Sequence, residues 1–438
     1  MADTGSSSPI ITGQADYDAV VVGASLAGCA TAIFLGRAGC RVALVEKQPD
    51  PDAFKRICSH FIQASAVPTL ERLQLLEPIL AAGGVRSGFH MWTRWGWVDT
   101  PPERASLGVN LRRSLLDPLL RRAAAEVPGV ELILGRTAER MLRDERGAVA
   151  GVAVHDREGA VTELRAPLTV GADGRDSSVA ELAGVDEKVL PHGRFAYGGY
   201  FEGEAPENAP DASIWMLDPE WGAAFPTDGG LTFYAAMPTK ARLPEFKQDP
   251  EAALVSYIES LAEAPPIASS RPIEPIQGKL EMPNRVRATT APGLALVGDA
   301  ALATDPLFGI GCGWALQTGE WLADSVAPAL RGEETLARGL RRYRRAHKRR
   351  LGGHARMIHD YATGRKLNRG ERMIFAAAAH DPRVAETFDR FGSRQIGPAR
   401  MLATSIPRSL LVNLRHRRQS APEAEPGRGE ERAQAALR

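Results

Sequence analysis

Cysteine is nearly missing from this chain: Cys29, Cys40, Cys58 and Cys312 are scattered through 438 residues, with no CxxC pair. That scatter excludes a disulfide framework and offers no zinc-like spacing, so no metal is expected and a reducing, cytoplasmic setting is. Long apolar runs are lacking too, since none approaches the roughly 18–20 residues that span a bilayer. The opening MADTGSSSPIITGQAD has neither a basic leader nor an apolar stretch and does not read as a signal peptide. Nor is there an excess of either charge. With 54 Lys and Arg against 53 Asp and Glu, the balance of +1 steers the whole molecule neither to nucleic acid nor to an anionic surface. Internal repeats are absent.

What is present is length and apolar content, 44% of 438 residues. A single core stops growing at about 250–300 residues, so roughly two or three core-sized units are expected, enough to enclose a large cofactor. Residues 1–15 read as a disordered lead-in. DAVVV (18–22) reads as a buried strand, 26–38 as a helix closed by Gly39, and RVALVE (41–46) as a second buried strand. The stretch 47–63 has turn chemistry, and helices are expected over 65–82 and 112–126. VELILGRTAERML (130–142) and 148–170 alternate like antiparallel strands. Residues 190–290 change texture, with aromatic strands and one helix near 249–263, as an inserted sheet domain would. LALVGDA (294–300) returns to a buried strand, and the chain from Trp314 to about 391 is mostly helical. After about 417 the polar, Pro-containing tail reads as disordered.

Three segments carry chemistry. In VVVGASLAG, Gly23 and Gly28 take the outer glycine places of a dinucleotide fingerprint, with small Ser25 between them. The spacing lets backbone N–H groups approach a pyrophosphate at a helix start. Glu46 ends the second strand, where a carboxylate accepts from ribose hydroxyls, and Lys47 adjoins it. An acid there disfavours NADP. The second segment, LTVGADGRDSSVAELAG (168–184), contains Asp173–Gly174. The third, GLALVGDAALATDPLFGIGCG (293–313), runs from Asp299 through Pro306 to a glycine-rich helix start at Gly311, Cys312 and Gly313. Free N–H groups at a helix start favour negative charge by roughly 0.3–2 kcal/mol. A reduced isoalloxazine carries such charge, and this tips the cofactor to FAD.

The three segments in this order resemble the FAD-dependent monooxygenases of the para-hydroxybenzoate hydroxylase superfamily, over about 16–184 and 292–330. The resemblance implies an α/β fold: a Rossmann-like (GR2-type) FAD-binding domain with an inserted β-sheet substrate domain and a helical C-terminal region. In numbers, 16–189 and 292–330 form the FAD domain, with substrate-domain strands around 85–110. Residues 190–291 form the inserted sheet, 331–416 the helical region and 417–438 the tail. It also implies that Arg113, or Arg112 one place earlier, leans on the FAD pyrophosphate, and that Asp299 binds the ribityl chain. Gly311, Cys312 and Gly313 would line the pyrimidine edge, and Lys55–Arg56 would sit in a loop over the cofactor. Two departures stand out. Ala180 replaces the arginine that ends the DG motif, which puts direct NADPH use in doubt. Leu302 replaces a usual histidine, and Asp305–Pro306–Leu307–Phe308 is more like the geranylgeranyl reductase and halogenase branches. Trp95 and Trp97 have halogenase-like spacing, but Asp99 and Thr100 stand in place of Ile-Pro.

The activity implied is hydroxylation or epoxidation of a largely apolar or aromatic small molecule through a flavin C4a-hydroperoxide, plausibly in secondary metabolism. NADPH or NADH would supply electrons directly or through a flavin reductase. The alternatives are a flavin-dependent reductase, a halogenase, or a flavin-binding protein without catalysis. No catalytic residue stands out. His60, Trp92, Tyr200, Trp215 and Tyr234, with Trp95 and Trp97, are the substrate-wall candidates, against a default of ordinary core. Cys58 reads as a small packing residue. The basic run RRYRRAHKRR (341–350) reads as a solvated helix face, with an anionic partner as the other possibility.

Overall fold

The strand Ala19–Val22 lies at the middle of a six-stranded sheet in the computed structural model, which describes residues 16–306 and 309–419. All four of its residues are buried, because both faces of a parallel sheet are covered, and its apolar run therefore shows no alternation. Val42–Glu46 and Leu168–Gly171 flank it in parallel, Val22 standing level with Val45 and with Gly171. Leu294–Leu296 and Val130–Leu134 extend the sheet on either side, also in parallel. Parallel strands bring their carboxyl ends to one edge. Gly23, Glu46, Asp173 and Gly298 thus gather there, where ligands of doubly wound sheets bind.

The helix Leu26–Arg37 buries 11 of its 12 residues, sandwiched between that sheet and the long helix Gly311–Leu330. Tyr343, fully buried in the helix Leu336–Tyr361, donates to the carbonyl of Leu296 at 2.7 Å and ties the C-terminal helices to the sheet. On that helix Tyr343 and His347 face inward, while Arg341, Arg344, Arg345 and Lys348 are exposed. These side chains of the basic run face outward.

The inserted sheet has eight strands, among them Ala196–Glu202, Leu231–Met237, Trp221–Pro226 and Ala212–Met216. Phe89–Thr93 and Gly96–Val98, from the first half of the chain, complete it, Phe89–Thr93 pairing in parallel with Ala212–Met216. Strand alternation divides its aromatics between two layers. Tyr200, Phe225 and Phe233 face the cofactor domain, whereas Tyr197, Phe201, Trp215 and Tyr234 pack on Phe246, Leu254 and Tyr257 behind.

Three local readings change. Val130–Leu134 does not pair antiparallel with Thr137–Arg143, because the crossover helix Arg113–Ala125 delivers it parallel to the free edge of Val42–Glu46. Only Thr137–Arg143, Val149–His155 and Val161–Arg165 form the antiparallel trio. The helix expected over 65–82 breaks into Val67–Arg72 and Leu76–Ala81 at Gln74, which takes a left-handed φ of 57°. The tail begins later than 417, since the last helix runs Pro398–Gln419. Residues 1–15 and 420–438 lie outside the described residues, as do Leu307 and Phe308. Among the described residues no helix is long and apolar enough to cross a membrane, and no cluster of three or more metal-ligating side chains occurs.

Candidate functional site

At the phosphate end, Gly23 has φ 106°, and a Cβ there would meet the Ala172 carbonyl oxygen at 2.6 Å. A Cβ on Gly28 would fall 1.8 Å from the Gly23 oxygen, so helix and turn touch through hydrogen alone. Ser25 precedes the first helical residue, and its hydroxyl accepts from Arg113 at 2.7 Å. Arg113 is buried and also grips Asp117 at 2.7 Å, while Arg112 turns away to Asp228. Of the two adjacent arginines, Arg113 is the one that reaches the fingerprint loop. Glu46 accepts from the N–H groups of Ala24 at 2.9 Å and Gln48 at 3.0 Å. A carboxylate has about four acceptor positions, so two remain for hydroxyls. Lys47 and Arg56 are exposed on the rim. Asp173 accepts from the Ser177 and Ser178 hydroxyls and the Val179 N–H, capping the helix Ser178–Leu182. Its carboxylate therefore organises the loop, and Gly174 beside it, with φ 86°, has no atom near its missing Cβ.

At the other end, Asp299 lies half-buried at the end of its strand, 3.7 Å from the Lys55 ammonium. The Lys55 N–H bonds Asp117, so the loop after Pro51 is tied both to the arginine helix and to the GD segment. The helix Gly311–Leu330 starts with no acid in its first turn, open space around Gly311, and Cys312 and Gly313 buried. Cys312 meets Cys58, with their sulfurs 3.6 Å apart. That contact, then the Arg113 and Lys55 cations, outweigh burial and hold the Cys58 thiol well below its ordinary value. The same contact, together with burial, holds Cys312 well above its own. Pro306 is half-buried on the connecting loop.

His60 lies further along the loop that carries Lys55, buried with φ 46° and stacked on Tyr200 with ring centres 5.2 Å apart. The Tyr200 hydroxyl lies 2.9 Å from His60 Nε2. Burial, then the Arg113 and Arg112 cations, push His60 far below its ordinary value, and burial pushes Tyr200 up, so both rings are neutral at pH 7. Phe233 closes on both rings, and Phe61 packs on Phe225 beside Gly309, just ahead of the Gly311 helix start. His60 and Tyr200 therefore stand on the ring side of the site. Trp215 and Tyr234 do not: fully buried in the far layer, they donate to the Ala262 and Glu204 carbonyls. Trp97 stacks edge-on against Trp215. Trp92 lines another cavity of about 360 Å³ with Trp95, Met216, Leu367 and Arg372. The period-2 alternation of the strands separates these residues, and it was readable only once each strand's register was known.

Two groups escaped the sequence reading. Arg121, eight residues past Arg113 and buried, donates to the carbonyls of Ala24, Pro51 and Ala53, joining the fingerprint turn to the Lys55 loop. Asp305 accepts from His192 and Arg194, each at 2.7 Å, with all three side chains buried. The signal was a basic pair, His192 and Arg194, at the entrance to the inserted domain, facing an acid just ahead of Pro306.

The donor set fits FAD. Ser25, Arg113 and an acid-free helix start suit a pyrophosphate, Glu46 and Asp299 suit polyols, and the open Gly311 helix start suits the electron-rich ring edge. Known proteins point the same way. The family described as FAD binding domain matches residues 16–351. Digeranylgeranylglycerophospholipid reductase 1 of Methanopyrus kandleri is 29% identical over 348 residues, 75% of this chain and 85% of that protein. Among solved structures, a flavoprotein/dehydrogenase from Cytophaga hutchinsonii superposes with a TM-score of 0.77 at 17% identity, over 91% of this chain and 98% of that one. Aklavinone-11 hydroxylase with FAD and aklavinone does so with a TM-score of 0.65 at 21% identity, over 82% and 73%. With the fingerprint turn, the DG loop and the GD-to-helix segment converging on one sheet edge, the chain belongs to the FAD binding domain family of the para-hydroxybenzoate hydroxylase type and is an FAD-dependent oxidoreductase.

Proposed function

We propose that this oxidoreductase is a monooxygenase, inserting oxygen into a largely apolar or aromatic small molecule, with electrons from NADPH or NADH directly or through a flavin reductase. The observation that carries the reading is the wall at the ring end. His60, Tyr200, Phe61, Phe225 and Phe233 form a buried aromatic cluster whose two polar rings are neutral and bonded to each other. Bound FAD would supply the redox chemistry. The protein's part is to exclude water, hold the substrate by dispersion contacts and turn a polar substituent toward the His60–Tyr200 pair. None of that wall is a good acid or base at neutral pH, which suits oxygen transfer better than proton delivery.

A second reading, a flavin-dependent reductase of carbon–carbon double bonds, is favoured by the sequence similarity to the Methanopyrus reductase and by the Cys58–Cys312 thiol pair beside the Gly311 helix start. Isotope labelling separates the two. With NADPH, added flavin reductase and 18O2, a panel of apolar polyenes and aromatics should yield products carrying one 18O. Products that gain two hydrogens, form without oxygen and carry no label would overturn the monooxygenase reading.

A further inference from the structure

The last helix, Pro398–Gln419, buries Met401 on the core but turns its leucines outward. Ser405 and Ser409 are buried, while Leu410, Leu411 and Leu414 are 49%, 57% and 55% exposed. Leu402 and Ile406 continue the same stripe at 40% and 38%, the i, i+4, i+8, i+12 spacing of one helix face. The orientation is held by polar anchors: Arg408 forks onto Asp381 at 2.6 and 2.7 Å, and Asn413 donates to the Met373 carbonyl at 3.0 Å. A helix free to roll would bury its leucines, and this one is prevented from doing so.

Charge tells what covers the stripe. The helix contains no Asp or Glu, and besides Arg408, which is paired with Asp381, it carries exposed Arg400 and Arg415. Gly353 of the neighbouring helix Leu336–Tyr361 lies against Pro398, which brings exposed Arg349 and Arg356 beside the same end. An apolar face rimmed by cations of one sign is the pattern of a helix lying in an anionic lipid interface. In sequence, residues 420–438 offer a single large apolar residue, Leu437, to match the stripe. Two copies packed through this face would bring their arginines together.

We propose that the exposed face of Pro398–Gln419 docks the protein on a membrane surface bearing anionic lipid headgroups, as a peripheral contact without a span. The leucines enter the acyl boundary, and the arginines meet the headgroups. The surface does not depend on the reaction proposed above. It does connect physically to the ring end, since this helical region holds the loop after His60 through Gln63 on the Gly392 carbonyl and the Ser65 N–H on that of Ser393.

The test is co-sedimentation of the full, FAD-loaded chain with vesicles of equal phosphatidylglycerol and phosphatidylcholine, against phosphatidylcholine alone, at low and high salt. The wild type should bind the anionic vesicles, and more weakly as salt rises. The Leu410→Asp, Leu414→Asp double variant should lose about tenfold or more in partitioning, because two exposed leucines no longer enter the acyl region. Its flavin absorbance and thermal midpoint should be unchanged. Arg400→Glu with Arg415→Glu should abolish the preference for anionic lipid. Wild-type protein that ignores anionic vesicles, or a double variant that binds them equally, overturns the proposal. So does a wild-type dimer that the double variant dissociates while neither binds lipid. Binding is read without turnover, so failure of the oxygenation assay leaves this result standing.

Discussion

Arg112 and Arg113 are neighbours in sequence, and a one-residue step separates a contact to Asp228 in the inserted domain from one to Ser25 on the fingerprint turn. The sequence left both open, because helix phase is set by packing and not by the dipeptide itself. For Arg113→Lys, which keeps charge but loses the planar fork, FAD affinity should fall roughly 10–100-fold, the loss of a charge-assisted hydrogen bond worth about 1.5–3 kcal/mol. Fluorescence titration of the FAD-free protein reads this directly, and an unchanged Kd would remove Arg113 from the site. A second residue carries a pH signature. His90 sits between Asp211 at 3.2 Å and Asp99 at 2.6 Å. Those bonds, Asp211's first, outweigh burial and push it up to about 9. Its folded value exceeds the unfolded one, about 6.5. The stability it contributes is therefore complete below that pH and disappears as pH rises through about 9. The urea midpoint of wild type should fall toward that of His90→Gln across this window. Parallel curves would show that the ion pairs contribute nothing.

At the scale of elements, the loop between the strand Leu302–Ala303 and the helix Gly311–Leu330 is positioned by a buried contact from far away in the chain. Asp305 holds Arg194, whose side chain is fully buried. Replacing Asp305 by Ala leaves that cation without this carboxylate and should destabilise the protein by about 3–5 kcal/mol. Denaturant unfolding measures it, and a cost below about 1 kcal/mol would mean that Arg194 finds water instead. This cluster was hardly legible in the sequence, since 111 residues separate its partners. The fingerprint was legible because its parts are local: a buried strand, a glycine turn and a helix start within 20 or so residues. The segment 130–142 was misread for the opposite reason. Its alternation fits either sheet, and only the crossover helix before it decides that Val130–Leu134 joins the parallel one.

Across the whole molecule, groups near residue 25, residue 113 and residue 299 line one sheet edge, so a single long cofactor would join the start of the chain to its second half. Binding to the folded state alone stabilises it by about 2.7 kcal/mol when free FAD is a hundred times its Kd. Removing FAD should therefore lower the thermal midpoint by several degrees, and adding it back should restore the midpoint. Equal midpoints with and without FAD would argue against a shared grip. By itself the sequence determined the cofactor class and the parallel sheet. Both rest on short-range patterns, namely glycine spacing, buried apolar strands and an acid at a strand end. Tertiary structure alone decided which aromatics face the ring end, which arginine reaches the turn, and that the final helix presents leucine to the outside. Those depend on register and helix phase, which are set by contacts between different elements, from 27 residues apart for Arg408 and Asp381 to 140 for Tyr200 and His60.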